Sequence, residues 1–375
     1  MKKPVFYLLW FLTGTALWGC QSQSSFSEHQ FTFYIGTYTT GASQGIYQSA
    51  LHHNGLLDSA RLVAETPSPS FLQVSPDNRF LVVVNETATA EGQGTVSSFR
   101  ITDDSLKWLS QQPSGGAHPC HVDIHQNGFV LVSNYTGGNI SLLHLNSEGM
   151  LSEPDDISQH KGRGTTPRQE GPHAHSAKFV QGSNEIISAD LGTNELWFYL
   201  LDSNRHKLKL QQSPTLAMKP GAGPRHFIFH PSGKWIYVLN ELNATITQIE
   251  KQKDGTYKPI GSVSTLPQNY SAPNKSADIH ITKDGKYLYA SNRGHNSIAI
   301  FRVAKETGKL TRKGFQQTQI NWPRNFSLSP DGHYVVVTNK NSHEIVSFRR
   351  NQKTGMLHFR SKIMVPDPVC IGFMN

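Results

Sequence analysis

Apolar residues along this chain fall in short runs, each ended by a polar residue, and one such pattern recurs. Its clearest copies are FLQVSPDNRFLVVVN (71–85), HFIFHPSGKWIYVLN (226–240), DIHITKDGKYLYASN (278–292) and NFSLSPDGHYVVVTN (325–339). HVDIHQNGFVLVSN (121–134) and SAKFVQGSNEIISAD (176–190) are looser copies. Each predicts a hairpin: a strand, a turn such as PDG, PSG or KDG with glycine where φ is positive, then a strand rich in Val, Ile, Phe and Tyr. The second strands end on Asn85, Asn134, Asp190, Asn240, Asn292 and Asn339, at spacings of 49, 56, 50, 52 and 47 residues. FTFYIG ends at Gly36, another 49 residues before Asn85. Seven repeats of this length are the signature of a propeller. The expected fold is all-β, a seven-bladed β-propeller with four-stranded blades.

The two ends of the chain complement each other. FTFYIG matches the second strand of a repeat with no first strand before it, and Asp367–Phe373 matches a first strand with no second after it. N- and C-terminal strands are therefore expected to share one blade, which removes exposed sheet edges. The propeller is assigned to 31–375 as a single domain.

Composition agrees with short strands and tight turns. Only 17% of residues are charged, while Gly (31) and Pro (20) are plentiful. The formal charge is +8, but the basic residues are scattered with no long run, so the footprint of a nucleic-acid binder is missing. A mildly cationic surface favours anionic small molecules.

Residues 1–20 stand apart. Lys2 and Lys3 precede an apolar run that ends in Leu17-Trp18-Gly19-Cys20, and a polar linker follows over 21–30. This reads as a signal peptide of the lipoprotein type, with Cys20 as the lipidated residue. The chain is accordingly expected outside the cytosol, as a periplasmic or outer-membrane lipoprotein that touches membrane only through this anchor, and as a monomer. Cys120 and Cys370 fall two blades apart, beyond disulfide reach, and are expected as buried free thiols.

Candidate chemistry comes from hairpin arithmetic. Residues equidistant from a turn face each other. Counting outward places Arg225 opposite Asn240 with Glu241 next, His175 opposite Asp190, Ala277 beside Asn292 and Arg293, and Arg324 beside Asn339 and Lys340. All lie at the same end of the blades, so they converge on one mouth of the central channel, with Glu86 and His173 close by. Basic groups, carboxylates and imidazoles gathered in one cleft suit a carboxylate- or phosphate-bearing substrate. No Gly-x-Ser-x-Gly elbow and no HExxH spacing occurs. Neither a metal nor a cofactor is expected.

Several stretches resemble one family. Arg168-Gln169-Glu170-Gly171-Pro172-His173-Ala174-His175-Ser176, then Ala189-Asp190-Leu191-Gly192, Gly223-Pro224-Arg225-His226, Asn240-Glu241 and Ser291-Asn292-Arg293 are similar to the lactonase family of propellers. That family includes bacterial 6-phosphogluconolactonases and the fungal carboxymuconate cyclase, and the likeness runs over 30–375. The resemblance implies a sugar-lactone hydrolase with His175, Glu241, Arg225 and Arg293 as catalytic residues. Asp190, Arg324, His173, Glu86 and Lys340 are then the substrate-binding candidates. Arg225 and Arg293 would polarise the lactone carbonyl, His175 or Glu241 would take the proton of the attacking water, and Asp190 would orient His175. A cyclase or isomerase of an unsaturated dicarboxylate, and a non-catalytic propeller binding an extracytoplasmic ligand or protein, are the alternative readings.

Overall fold

The computed structural model describes residues 1–5, 30–103 and 105–374. Most of the expected leader, Cys20 and the expected linker up to residue 29 lie outside the described residues. Seven four-stranded antiparallel sheets make up the fold. Blade 2 runs Pro69–Val74, Phe80–Asn85, Thr95–Ile101, Leu106–Pro113 from the inside outward. Blades 3 to 7 repeat this order from inner strands Pro119–Ile124, Ala174–Phe179, Pro224–Phe229, Lys275–Ile281 and Pro323–Leu328. Blade 1 takes its inner strand from the C-terminal segment, Pro368–Phe373, which pairs antiparallel with Gln30–Thr37. Each inner strand touches the next, and that of blade 1 touches those of blades 7 and 2, so the ring is closed.

Second strands such as Phe80–Asn85, Phe129–Asn134 and Tyr334–Asn339 are buried along their whole length, because a neighbouring blade covers each face. The core is accordingly a set of seams between blades. Val82 and Val84 of blade 2 pack with Val122, Val130 and Val132 of blade 3, and Phe33 and Ile35 of blade 1 with Val336 and Ile345 of blade 7. Each such side chain contributes about 1.5–3 kcal/mol when fully buried.

The recurring sequence pattern has two local causes. In the turn of blade 7, the Ser329 hydroxyl donates to Asp331 (2.5 Å) and accepts from the Tyr334 N–H (2.9 Å), while Gly332 takes φ +70°. Ser75 and Asp77 repeat this in blade 2. The terminal asparagines are buried amides that tie down the segment arriving from the preceding blade. Asn85 donates to Pro67 O, Asn134 to Ser114 O, Asn292 to Thr265 O and Asn339 to Gln319 O. In blade 1 the register-equivalent residue is Thr37, one position beyond the expected Gly36, because Thr37 faces Pro368 as Asn134 faces Pro119. Cys120 and Cys370 are free and buried.

Candidate active site

The hairpin arithmetic holds from the turn outward but is off by one at the last pair, and the reason shapes the site. Pro224, not Arg225, faces Asn240, and His226 faces Leu239; Ala174, not His175, faces Asp190, and Ser176 faces Ala189. Each inner strand carries an extra residue directly after its start. The extras are Ser70, Cys120, His175, Arg225, Arg324 and Val369, and blade 6 has the same irregularity at Ala277-Asp278. Ser276 thus faces Asn292, and Pro323 faces Asn339. An extra residue bends the strand and re-aims its side chain. Five of these strands open with proline, which lacks the N–H a ladder would use. Every blade therefore offers one re-aimed inner-strand residue and one residue just past its second strand at the same end of the channel.

Three guanidiniums converge on Glu241. Arg225 Nε and Arg293 Nη2 donate to Oε2 at 3.1 and 2.8 Å, and Arg168 Nη2 donates to Oε1 at 3.2 Å. Arg225 also donates to Ala277 O, and Arg293 to Lys275 O and Ser276 O. Burial alone would raise the Glu241 carboxyl, but Arg293, Arg225, Arg168 and Arg324 together outweigh it and hold it at about 2. Burial lowers Arg293 to about 10 despite Glu241. Arg168 was not among the residues singled out from the sequence, although it opens the RQE…PHAHS stretch. It reaches the mouth on a single helical turn, Pro167–Gln169, between blades 3 and 4.

His175 is buried, and burial followed by Arg225, His226 and Arg324 pushes its pKa well below the usual imidazole value. It is neutral at pH 7. The Cys120 thiol, kept protonated by burial, lies 3.4 Å from His175 O as a donor and 3.7 Å from Nδ1. With the S–H on the carbonyl, the tautomer protonated at Nδ1 can donate to sulfur, which would leave the Nε2 lone pair available. Tyr135 packs edge-on to His175 (5.4 Å), stacks on His173 (4.5 Å), and accepts from Arg168 (2.8 Å).

Asp190 does not orient His175. Its Oδ2 accepts from His160 Nδ1 (2.6 Å) and its Oδ1 from the backbone N–H groups of His173 and Thr193 (both 2.8 Å). Because the added residue in the strand takes His175 out of register, the carboxylate secures the loop before it instead. His160, stacked on Trp197 at 4.3 Å, was missed because nothing in its local sequence links it to Asp190.

The remaining candidates form a second group, from blades 1, 2 and 7. Arg324 lies 3.5 Å from Glu86 and 5.2 Å over the Tyr38 ring, Tyr38 OH donates to Glu86 (2.8 Å), and Lys340 lies 3.9 Å from Asp367. Beneath both groups runs a buried layer in which His226 Nδ1 and Asn325 Nδ2 donate to the two oxygens of Asp278 (2.8 and 2.6 Å), with Phe71 stacked on His121 (4.5 Å). Among the described residues no cluster of three or more His, Cys, Asp or Glu side chains is arranged to hold a metal ion.

Fold and site together define a propeller whose channel mouth carries a neutral imidazole beside an arginine-clasped carboxylate. The sequence profile of the family described as "Lactonase, 7-bladed beta-propeller" matches residues 32–373, and the chain belongs to that family. It is 35% identical over 348 residues to the 6-phosphogluconolactonase of Bacillus subtilis, covering 91% of this chain and 98% of that one. The 6-phosphogluconolactonase of Formosa agariphila is 34% identical over 280 residues, covering 72% and 78%. The structure of the Pseudomonas aeruginosa periplasmic gluconolactonase superposes with a TM-score of 0.88 at 26% identity, covering 92% of this chain and 99% of that one.

Proposed function

We propose that this protein hydrolyses the ring ester of a sugar lactone at the arginine-lined mouth. The observation that carries the proposal is His175: a buried, neutral imidazole whose Nε2 has no hydrogen-bond partner among the described residues, beside guanidiniums gathered on Glu241. In this reading a water gives its proton to His175 Nε2 as its oxygen bonds to the lactone carbonyl carbon. Arg225 and Arg293 stabilise the negative charge on the carbonyl oxygen. The ring C–O bond then breaks, the imidazolium returns its proton to the departing alkoxide, and the aldonic acid so formed ionises to the aldonate, releasing one proton to solvent. Glu241 is too weak a base at about 2 for this step and acts as the counter-ion that holds the arginines. In the same reading Arg324, Glu86, His173 and Lys340 bind substrate hydroxyls, and Asp190, which accepts from the His173 N–H, fixes the loop that carries His173.

The relatives are named for lactones of two kinds, one phosphorylated and one plain. The leader ending at Cys20 supports an extracytoplasmic lipoprotein that meets a lactone made outside the cytosol. Acid release from glucono-δ-lactone and 6-phosphoglucono-δ-lactone, followed in a pH-stat with wild-type protein and His175→Gln, tests the chemistry. Rates no faster than spontaneous hydrolysis with either lactone would sink it. Palmitate labelling that persists in Cys20→Ala would sink the anchor.

A further inference from the structure

We infer that Arg168 is the specificity-determining residue that recognises a second acidic group, phosphate or carboxylate, on the lactone. The inference rests on the proposed lactonase reading and narrows its substrate class. The three arginines on Glu241 differ in what they have left to offer. Arg225 and Arg293 are buried, with side chains 3% and 6% exposed, and they donate further to Ala277, Lys275 and Ser276 carbonyls. Arg168 is 42% exposed, and its hydrogen bonds to protein, to Tyr135 and Glu241, both leave from Nη2. Among the described residues its Nε and Nη1 donors have no protein acceptor, which leaves them for solvent or ligand.

Charge points the same way. One carboxylate faces three guanidiniums here, whereas Arg324 has Glu86 and Lys340 has Asp367. The positive excess of the mouth therefore sits on the Glu241 side, where Arg168 is its most accessible member. A planar guanidinium with adjacent free donors matches the paired oxygens of a phosphate or carboxylate.

The arm that carries Arg168 is held in place. Gln169 is fully buried; its Oε1 accepts from Thr165 N (3.2 Å) and its Nε2 donates to Leu191 O (2.8 Å) and Asn194 Oδ1 (3.1 Å). Pro167 opens the single turn and further restricts it. The guanidinium is thus presented with little ordering cost on binding.

The test compares kcat/KM of wild type, Arg168→Gln and Arg168→Lys on glucono-δ-lactone, 6-phosphoglucono-δ-lactone and glucaro-1,4-lactone, which separate no second acid, phosphate and carboxylate. Arg168→Gln should lose about ten- to hundredfold more on the acidic lactones than on the plain one, mainly through KM. Arg168→Lys should recover part of that loss. Equal losses on all three lactones would overturn the inference, since Arg168 would then act only through Glu241; no loss on any would overturn it as well. If wild type hydrolyses no lactone, the reaction reading fails by itself, and calorimetric binding of 6-phosphogluconate and glucarate against gluconate still decides on Arg168. Binding of the acidic pair that Arg168→Gln weakens by about tenfold or more supports it, and binding that Arg168→Gln leaves alone, or no binding, overturns it.

Discussion

The two ends of the channel are built from the same strands and differ in how their charges are spent. At the mouth, the re-aimed residues and those just past the second strands converge, and one carboxylate serves three guanidiniums. At the far end, register-equivalent positions of six blades, Gln73, Asp123, Lys178, His280, Ser327 and Gly372, line a cavity of about 770 Å³. Polar groups are as frequent there, yet most are matched locally. Asp123 accepts from the Phe179 N–H, His280 contacts Asp278, and Lys286 pairs with its neighbour Asp284. Lys178 is half-buried, its ammonium 6.0 Å from the Phe227 ring centre. Charged residues around a channel do not by themselves make a catalytic centre. Unequal sharing of charge around a buried carboxylate is what sets the mouth apart.

The largest break in that contrast should come from Glu241→Gln. It leaves Arg225 and Arg293 buried without their counter-ion, a loss of about 3–5 kcal/mol of stability together with activity, read by urea unfolding and by lactone turnover. An unfolding midpoint equal to wild type would mean that Glu241 is not needed as a counter-ion to hold the arginines. His175→Gln should lower kcat by about 10²–10⁴-fold while its unfolding curve stays close to wild type. Turnover within a few-fold of wild type would remove His175 from the chemistry.

Acidity probes the same contrast more gently. The proposed base must be unprotonated, and His175 titrates well below the ordinary imidazole value, so kcat/KM should hold steady down through pH 6.5 and fall only in more acid solution. An acid limb centred at or above 6.5 would contradict this. Glu241 has a folded value of about 2, beneath the ordinary 4.5, so its stabilisation is complete above 4.5 and drains away as pH falls toward 2. Unfolding followed across that window should show the loss in wild type and much less of it in Glu241→Gln. The smallest effect belongs to the far end: Lys178→Met should change stability by about 0.5 kcal/mol or less and leave lactone turnover as it was. A large loss of turnover would show that the two ends are coupled.

What could be read along the chain was whatever repeats along it. The period, the turn chemistry, the Asn-ended strands and the missing half-repeats at the two ends declare a closed ring of seven blades, because each blade must satisfy the same backbone hydrogen bonds and bury the same seams. The sequence also named most of the side chains at the mouth, since a shared position in a repeat implies a shared place in space. Tertiary structure decided the rest. A single added residue near the start of each inner strand moved the last facing pair by one, taking His175 from Asp190 and passing that carboxylate to His160, 30 positions away. Local pattern does not encode such a shift, because it is set by packing around the channel. The arm that brings Arg168 to Glu241 joins residues 73 positions apart in the chain. Their meeting, and the burial that makes one carboxylate a counter-ion and keeps one histidine neutral, exist only once the ring has closed.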